Sequence, residues 1–198
     1  MIAGLVADLR ATTALEAVAA LLGLVYVTLI VRRRREGWIA GAISSAIYVY
    51  LAYAARLPMQ ALLQAWYVAM GVYGWYSWTR NTEQEGGRIR CWPPARHLAA
   101  IAGILLASGL TARLLAAETH AAWPWIDSLT TWTSVFATWL VTRMHLENWL
   151  YWMVNDLLTV FLFAAQSHPL TALLYLVFFG FSVAGLRAWR RQYRSQSA

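Results

Sequence analysis

The stretch Glu147-Asn148-Trp149-Leu150-Tyr151-Trp152-Met153-Val154-Asn155-Asp156 decides how this chain is read, because it sets aromatic rings, amides and carboxylates directly against the apolar run Leu157–Ala165. At helical spacing Trp149, Trp152 and Asp156 fall on one face, with Asn155 beside it. A carboxylate or amide inside an apolar helix is costly unless it finds a partner or faces a cavity. Aromatic faces with one amide and one carboxylate suit a flat, cationic ligand that also makes hydrogen bonds. The stretch therefore predicts a membrane helix that looks into a binding site.

The rest of the chain has matching composition. Of its 198 residues 60% are hydrophobic and 13% charged, with a mean hydropathy of +0.48. A globular domain is nearer half apolar, so this reads as one polytopic, all-α membrane domain over residues 1–198. The net charge of +7 does not point to nucleic acid. Every basic residue is Arg, clumped beside apolar segments, which is a topology signal and not a phosphate-binding face. The partners implied are the lipid bilayer and a small molecule. A single Cys91 excludes an internal disulfide and a thiolate-rich metal site, and no cofactor or metal is expected. Residues 1–13, which carry Asp8 and Arg10 and lack a basic start, are not expected to be a cleaved leader.

Seven apolar spans approach the length a bilayer needs: Ala14–Val31, Trp38–Ala55, Gln60–Trp78, Leu98–Ala117, Ile126–Arg143, Trp149–Gln166 and Leu170–Trp189. The connectors are short except 79–97, whose acidic, Gly-Gly and Pro-Pro content predicts a polar loop. Arg32–Arg35, Arg80, Arg88, Arg90, Arg96, Arg143 and the arginines of the tail all fall on one side, against Arg10, Arg56 and Arg113 on the other. The positive-inside rule then puts the N-terminus outside and the C-terminus in the cytoplasm.

An offset of 111 residues lays the first three spans over the last three without a gap, with 11 identities in 41 positions from Trp38 to Trp78. Trp38 meets Trp149, Pro58 meets Pro169, Gly74 meets Gly185 and Trp78 meets Trp189. The expected architecture is 3+1+3: repeat 1 over about 14–78, a linker helix over about 98–117, and repeat 2 over about 126–189. Parallel repeats of this kind occur in full-length SWEET transporters, whose substrate site lies at the repeat interface. Two half-bundles about a shared site favour a transporter over a receptor or an enzyme.

Several residues carry chemistry. In span 3, Gln60, Gln64, Tyr67, Gly71, Gly74 and Trp78 step by three or four along one face, either as a ligand wall containing Gln64 and Tyr67 or as helix-to-helix glue. In span 5, Asp127, Thr131, Ser134 and Thr138 share a face, and these hydroxyls are expected to bond their own backbone. Asp127 and its counterpart Glu16 are read as structural. Where span 6 has Trp152, Asn155 and Asp156, span 2 has Gly41, Ser44 and Ser45, so the site is expected mainly on span 6, facing small residues, with Tyr48 and Tyr50 extending the wall on different faces, only one of which can look inward. Trp149 serves as ligand wall or scaffold. Trp38, Trp66, Trp75, Trp78, Trp123, Trp125 and Trp189 read as interface or ambiguous tryptophans. No catalytic residue is expected: His97, His120, His145 and His168 are scattered, and no nucleophile elbow or phosphate loop occurs.

Glu147, Trp149, Trp152 and Asp156 together form a pattern that resembles the Pnu family of bacterial vitamin transporters, most of all its PnuC-type nicotinamide riboside carriers. Tyr73-Gly74-Trp75-Tyr76-Ser77-Trp78, Glu16, Gln64 with Tyr67, and Trp38–Gly41–Ser44–Ser45 fit the same pattern, over nearly all of 14–190. Asn155, Pro58 and Pro169 depart from it. The resemblance implies a seven-helix fold, often a homotrimer, in the bacterial inner membrane. It also implies facilitated diffusion of an unphosphorylated vitamin that cytosolic phosphorylation then traps. Nicotinamide riboside is the leading substrate, with Trp152, Asn155, Gln64, Tyr67, Asp156, Trp149, Ser44 and Tyr48 as its candidate ligands. Thiamine or riboflavin on the same scaffold, or a non-transporting sensor or assembly protein, stay open as alternatives.

Overall fold

A computed structural model describes residues 13–56, 58–85, 87–118 and 123–196, and every regular element among them is a helix. In chain order these are α1 (Ala14–Val31), α2 (Glu36–Ala54), α3 (Pro58–Glu85), α4 (Pro94–Glu118), α5 (Pro124–Thr142), α6 (Asn148–Ala165) and α7 (Pro169–Gln196). Residues 1–12, with Asp8 and Arg10, and His120 lie outside the described residues. By length and composition four helices can cross a membrane: α1, α2, α4 and α7. The three that fall short, α3, α5 and α6, carry Gln60, Gln64, Asp127, Asn155, Asp156 and the hydroxyls of Thr131, Ser134 and Thr138.

Local chemistry sets the helix ends. Thr13 and Glu16 form a reciprocal capping box at the start of α1, with Thr13 N donating to Glu16 Oε2 at 2.7 Å and Glu16 N to Thr13 Oγ1 at 3.2 Å. That is the structural role expected of Glu16. Proline opens α3, α4, α5 and α7, where its missing N–H costs nothing. Helices α1 and α5 close into left-handed residues, Arg33 (φ 56°) and Met144 (φ 54°), and α2 and α6 do the same at Arg56 (φ 58°) and Ser167 (φ 62°). Each pair is separated by the same 111 residues as the sequence repeat.

The polar loop expected from residue 79 starts later. Helix α3 runs on to Glu85, and α7 likewise reaches Gln196, each 28 residues long. Continuing the helix satisfies backbone groups that a loop would have to place elsewhere. Thr79 Oγ1 bonds back to Trp75 O at 2.9 Å, and Arg80 reaches the Tyr76 hydroxyl at 2.9 Å. The shortened loop docks on the α5–α6 turn: Arg90 N donates to Met144 O, Leu146 N to Arg90 O, and Trp92 N to Glu147 Oε1, each at 2.9 Å.

Neighbouring helices close a ring. α1 packs on α2, α2 on α3, α3 on α5, α5 on α6, α6 on α7, and α7 back on α1, while α4 leans mainly on α5 and reaches α6 through His97, whose Nδ1 lies 3.0 Å from the Tyr151 hydroxyl. The face α4 turns outward carries exposed Leu98, Leu105, Leu106, Leu110 and Leu114, as a lipid-facing helix does.

At one end of the ring Trp38, Trp78, Trp149 and Trp189 are buried to within 2%. Trp38 and Trp78 meet edge-on with ring centroids 5.5 Å apart, and Trp149 and Trp189 repeat that contact at 5.5 Å. Trp38 packs so closely on Gly74 that a Cβ there would lie 2.4 Å from the indole, and Gly185 under Trp149 has 2.5 Å. Trp38, Trp78 and Trp189 are therefore core residues and not part of an interfacial belt. Close helix approach at glycine is what lets four indoles fit one layer.

Candidate functional site

Above that layer a cavity of ≈ 300 Å³ opens between the helices. Helix α3 supplies Gln60, Gln64 and Tyr67, which the three-and-four spacing had put on one face. Helix α5 supplies Asp127, Thr131 and Ser134, and α6 supplies Trp149, Trp152, Asn155 and Asp156. Six of the eight candidates thus surround one space: Trp152, Asn155, Gln64, Tyr67, Asp156 and Trp149. Ser44 instead lines a smaller neighbouring cavity and donates to Ala19 O at 2.8 Å, tying α2 to α1. Tyr48 lines neither cavity.

The buried carboxylate has a partner. Asp156 is 2% exposed and accepts from Ser182 Oγ of α7 at 2.9 Å. Asn155 is 4% exposed, and its Oδ1 finds no protein partner, nor does the Nε1 of Trp149. Both residues line the cavity, and these two atoms are a buried acceptor and a buried donor that no protein group satisfies. The Tyr67 hydroxyl lies 2.6 Å from Ser134 Oγ, fixing the ring of α3 against α5.

The hydroxyls of α5 do what a membrane helix asks of them. Thr130 bonds to Ile126 O at 3.0 Å, Ser134 to Thr131 O at 2.9 Å and Thr138 to Ser134 O at 2.8 Å. Asp127, read as structural, lies in the cavity wall in the first turn of α5. Glu147 lies away from the cavity and holds the α3–α4 loop through Trp92 N, with His97 Nε2 3.7 Å from its Oε1.

Sequence reasoning missed Tyr26, Tyr175, Phe178 and Ser182 of the cavity wall. Two had a signal, since the 111-residue offset places Phe178 on Tyr67 and Ser182 on Gly71. Tyr26 and Tyr175 had none, being aromatic residues in apolar helices like many others.

A closed ring of helices around one polar, aromatic-walled cavity is the build of a membrane transport protein. The chain belongs to the nicotinamide mononucleotide transporter family, whose model matches residues 13–191. It is 25% identical over 210 residues to the nicotinamide riboside transporter PnuC of Escherichia coli K12, covering 93% of this chain and 88% of that one. It is 27% identical over 188 residues to the riboflavin/roseoflavin transporter RibM of Streptomyces davaonensis, covering 92% and 87%. Its fold is that of a crystal structure of the vitamin B3 transporter PnuC, with a TM-score of 0.74 at 23% identity over 91% of this chain and 82% of that one.

Proposed function

We propose that the chain takes up nicotinamide riboside by facilitated diffusion and that phosphorylation in the cytosol traps it. The observation that carries this reading is the chemistry of the cavity wall. Trp152 and Trp149 offer aromatic faces to a pyridinium, Asp156 a counter-charge, and Asn155 and Gln64 partners for a carboxamide or ribose hydroxyls. The carboxylates of Asp127 and Asp156 line it, and no Arg, Lys or His does so among the described residues. A free nucleoside therefore suits it better than a mononucleotide, whose phosphate would enter without a partner and near like charge.

Riboflavin is the second reading, because RibM is a relative over most of both chains. The cavity of ≈ 300 Å³ is at the small end of ligand pockets, which run from about 300 to 1,000 Å³. That favours a single-ring base with one sugar over a three-ring system, and thiamine remains a flat cation the same wall suits. Uptake of labelled riboside, thiamine and riboflavin into proteoliposomes separates the three. Riboside counterflow without an ion gradient is the expected result, and strict dependence on sodium or protons defeats the facilitated-diffusion reading.

The same proposal includes the 3+1+3 arrangement of parallel repeats, with α4 as the linker, in the inner membrane with the N-terminus outside. It is supported by the ring of helix contacts, in which the α3–α5 seam maps onto the α7–α1 seam, and by the paired left-handed residues. The arginines of the α1–α2, α3–α4 and α5–α6 connections support the orientation. A homotrimer is the assembly we expect, to be measured by light scattering of the detergent-solubilised chain.

A further inference from the structure

The second cavity, of ≈ 150 Å³, is an image of part of the first. Trp38, Gly41, Ser44 and Ser45 line it, and their counterparts 111 residues on, Trp149, Trp152, Asn155 and Asp156, line the larger one. Tyr67 and Gly71 correspond in the same way to Phe178 and Ser182. Three rings, Tyr26, Tyr67 and Trp152, border both spaces and divide them.

The image differs from the original in chemistry. Where the larger cavity has the carboxylate of Asp156, the smaller has Ser45, and none of its lining residues is acidic or basic. Three of its hydroxyls are engaged, Ser44 Oγ on Ala19 O at 2.8 Å, Thr138 Oγ1 on Ser134 O at 2.8 Å, and the Tyr67 hydroxyl with Ser134 Oγ at 2.6 Å, whereas those of Tyr26 and Ser45 make no hydrogen bond among the described residues. The indole of Trp38 is a third unpaired donor. Trp38 is 2% exposed and its Nε1 has no hydrogen-bond partner. An indole N–H buried without an acceptor is a cost the fold carries unless something supplies the acceptor.

Size selects the occupant. A cavity of about 150 Å³ with apolar walls holds one benzene ring, and here the walls are the rings of Tyr26, Trp38, Tyr67 and Trp152. We propose that the smaller cavity is a second binding site, taking one uncharged six-membered aromatic ring that bears a carbonyl acceptor for the unpaired donors of its wall, the hydroxyls of Tyr26 and Ser45 and the indole of Trp38. Neutral pyridine and benzene carboxamides are that class. The site is distinct from the one beside Asp156, so a neutral ring and a cationic substrate bind together, separated by Trp152.

The test is equilibrium binding of labelled nicotinamide, a neutral pyridine carboxamide, to the purified full chain in detergent. Bound nicotinamide should persist under saturating riboside, and benzamide should displace it. Toluene, which has the ring without the acceptor, should displace it only at about tenfold or higher relative concentration. Ser45→Leu, which fills the space from α2, should weaken nicotinamide binding about tenfold or more. Complete displacement of nicotinamide by riboside, toluene as effective as benzamide, or unchanged binding in Ser45→Leu would overturn the proposal. The competition arms use the unmodified chain and decide the matter if Ser45→Leu does not purify as a monodisperse species. Nicotinamide binding without riboside binding counts against the proposed function and in favour of this site.

Discussion

Trp78 donates its indole N–H to the carbonyl of Val141 at 3.0 Å. Trp189 donates its own to Ile30 at 3.3 Å, and both residues of the second bond are 111 positions from those of the first. The two bonds close the two seams of the ring, α3 to α5 and α7 to α1, with the Trp78 and Trp189 rings 6.0 Å apart between them. Both carbonyls also accept from the backbone turn that follows, at 3.0 Å from Met144 N and 2.9 Å from Arg33 N. Losing one indole N–H therefore removes a net hydrogen bond without stranding its acceptor.

Trp78→Phe and Trp189→Phe should each lower stability in detergent by about 0.5–1.5 kcal/mol for the hydrogen bond alone, plus the lost ring area. Because the rings touch, the double variant should be non-additive by about 0.5 kcal/mol or more. Thermal melts of the three variants read this directly. Strict additivity would mean that the two seams open independently.

The glycines supply an internal control for close packing. Gly74→Ala and Gly185→Ala push a methyl to within 2.4 and 2.5 Å of the Trp38 and Trp149 rings. Overpacking of that kind costs about 1–3 kcal/mol or more, and both variants should melt markedly lower or fail to assemble. At Gly103 and Gly180 a Cβ meets nothing within 4 Å. Alanine there should be neutral or stabilise by up to about 1 kcal/mol through helix propensity. A similar response at all four positions would show that the indole layer is loose.

Trp152→Ala should remove an aromatic face worth about 0.5–2 kcal/mol to a cation, together with its apolar contact. Asn155→Leu deletes the unpaired acceptor of the cavity, so riboside binding should fall severely while any thiamine binding survives. Titration calorimetry on variants of confirmed monodispersity measures both. Unchanged riboside affinity in Trp152→Ala would move the site toward Gln64 and Tyr67 of α3.

The mononucleotide should bind at least about tenfold more weakly than the riboside, a gap of ~1.4 kcal/mol or more. The cause is the cation-free wall, which leaves a dianion beside Asp127 and Asp156. Equal affinities in a competition titration would mean that an arginine reaches the ligand.

In the α5–α6 turn, burial pushes the His145 imidazole below its ordinary value of 6.5; Glu147 works against that shift, and Arg90, His97 and Arg143 work with it. A histidine held neutral by the fold stabilises above the unfolded value and loses that contribution as pH falls through the folded one. The melting temperature should therefore drop as pH falls below about 6.5, and His145→Gln should flatten the drop. An equal drop in the variant would assign the acid sensitivity to other groups.

The sequence alone determined the seven helices among the described residues, because long, largely apolar runs and a backbone that must satisfy itself leave a membrane chain little choice. It also determined which residues share a face: Gln60–Gln64–Tyr67 and Trp149–Trp152–Asp156 each line the cavity together because three-and-four spacing is a property of the helix and not of its neighbours. Ends and partners were another matter. Nothing in residues 79–85 distinguishes a solvated helix from a polar loop until the α5–α6 turn is there to receive Arg90. Trp38, Trp78 and Trp189 carry no mark separating them from membrane-interface tryptophans, and only the close packing of α2 on α3, with Trp38 against Gly74, and of α6 on α7, with Trp149 against Gly185, makes them a buried layer. Ser44 and Tyr48 share a helix with the right small residues, yet helix crossing aims Ser44 into a separate space and leaves Tyr48 in neither. Periodicity acts within a helix and is written locally; which cavity a face meets depends on the position of six other helices, and that only the packed ring decides.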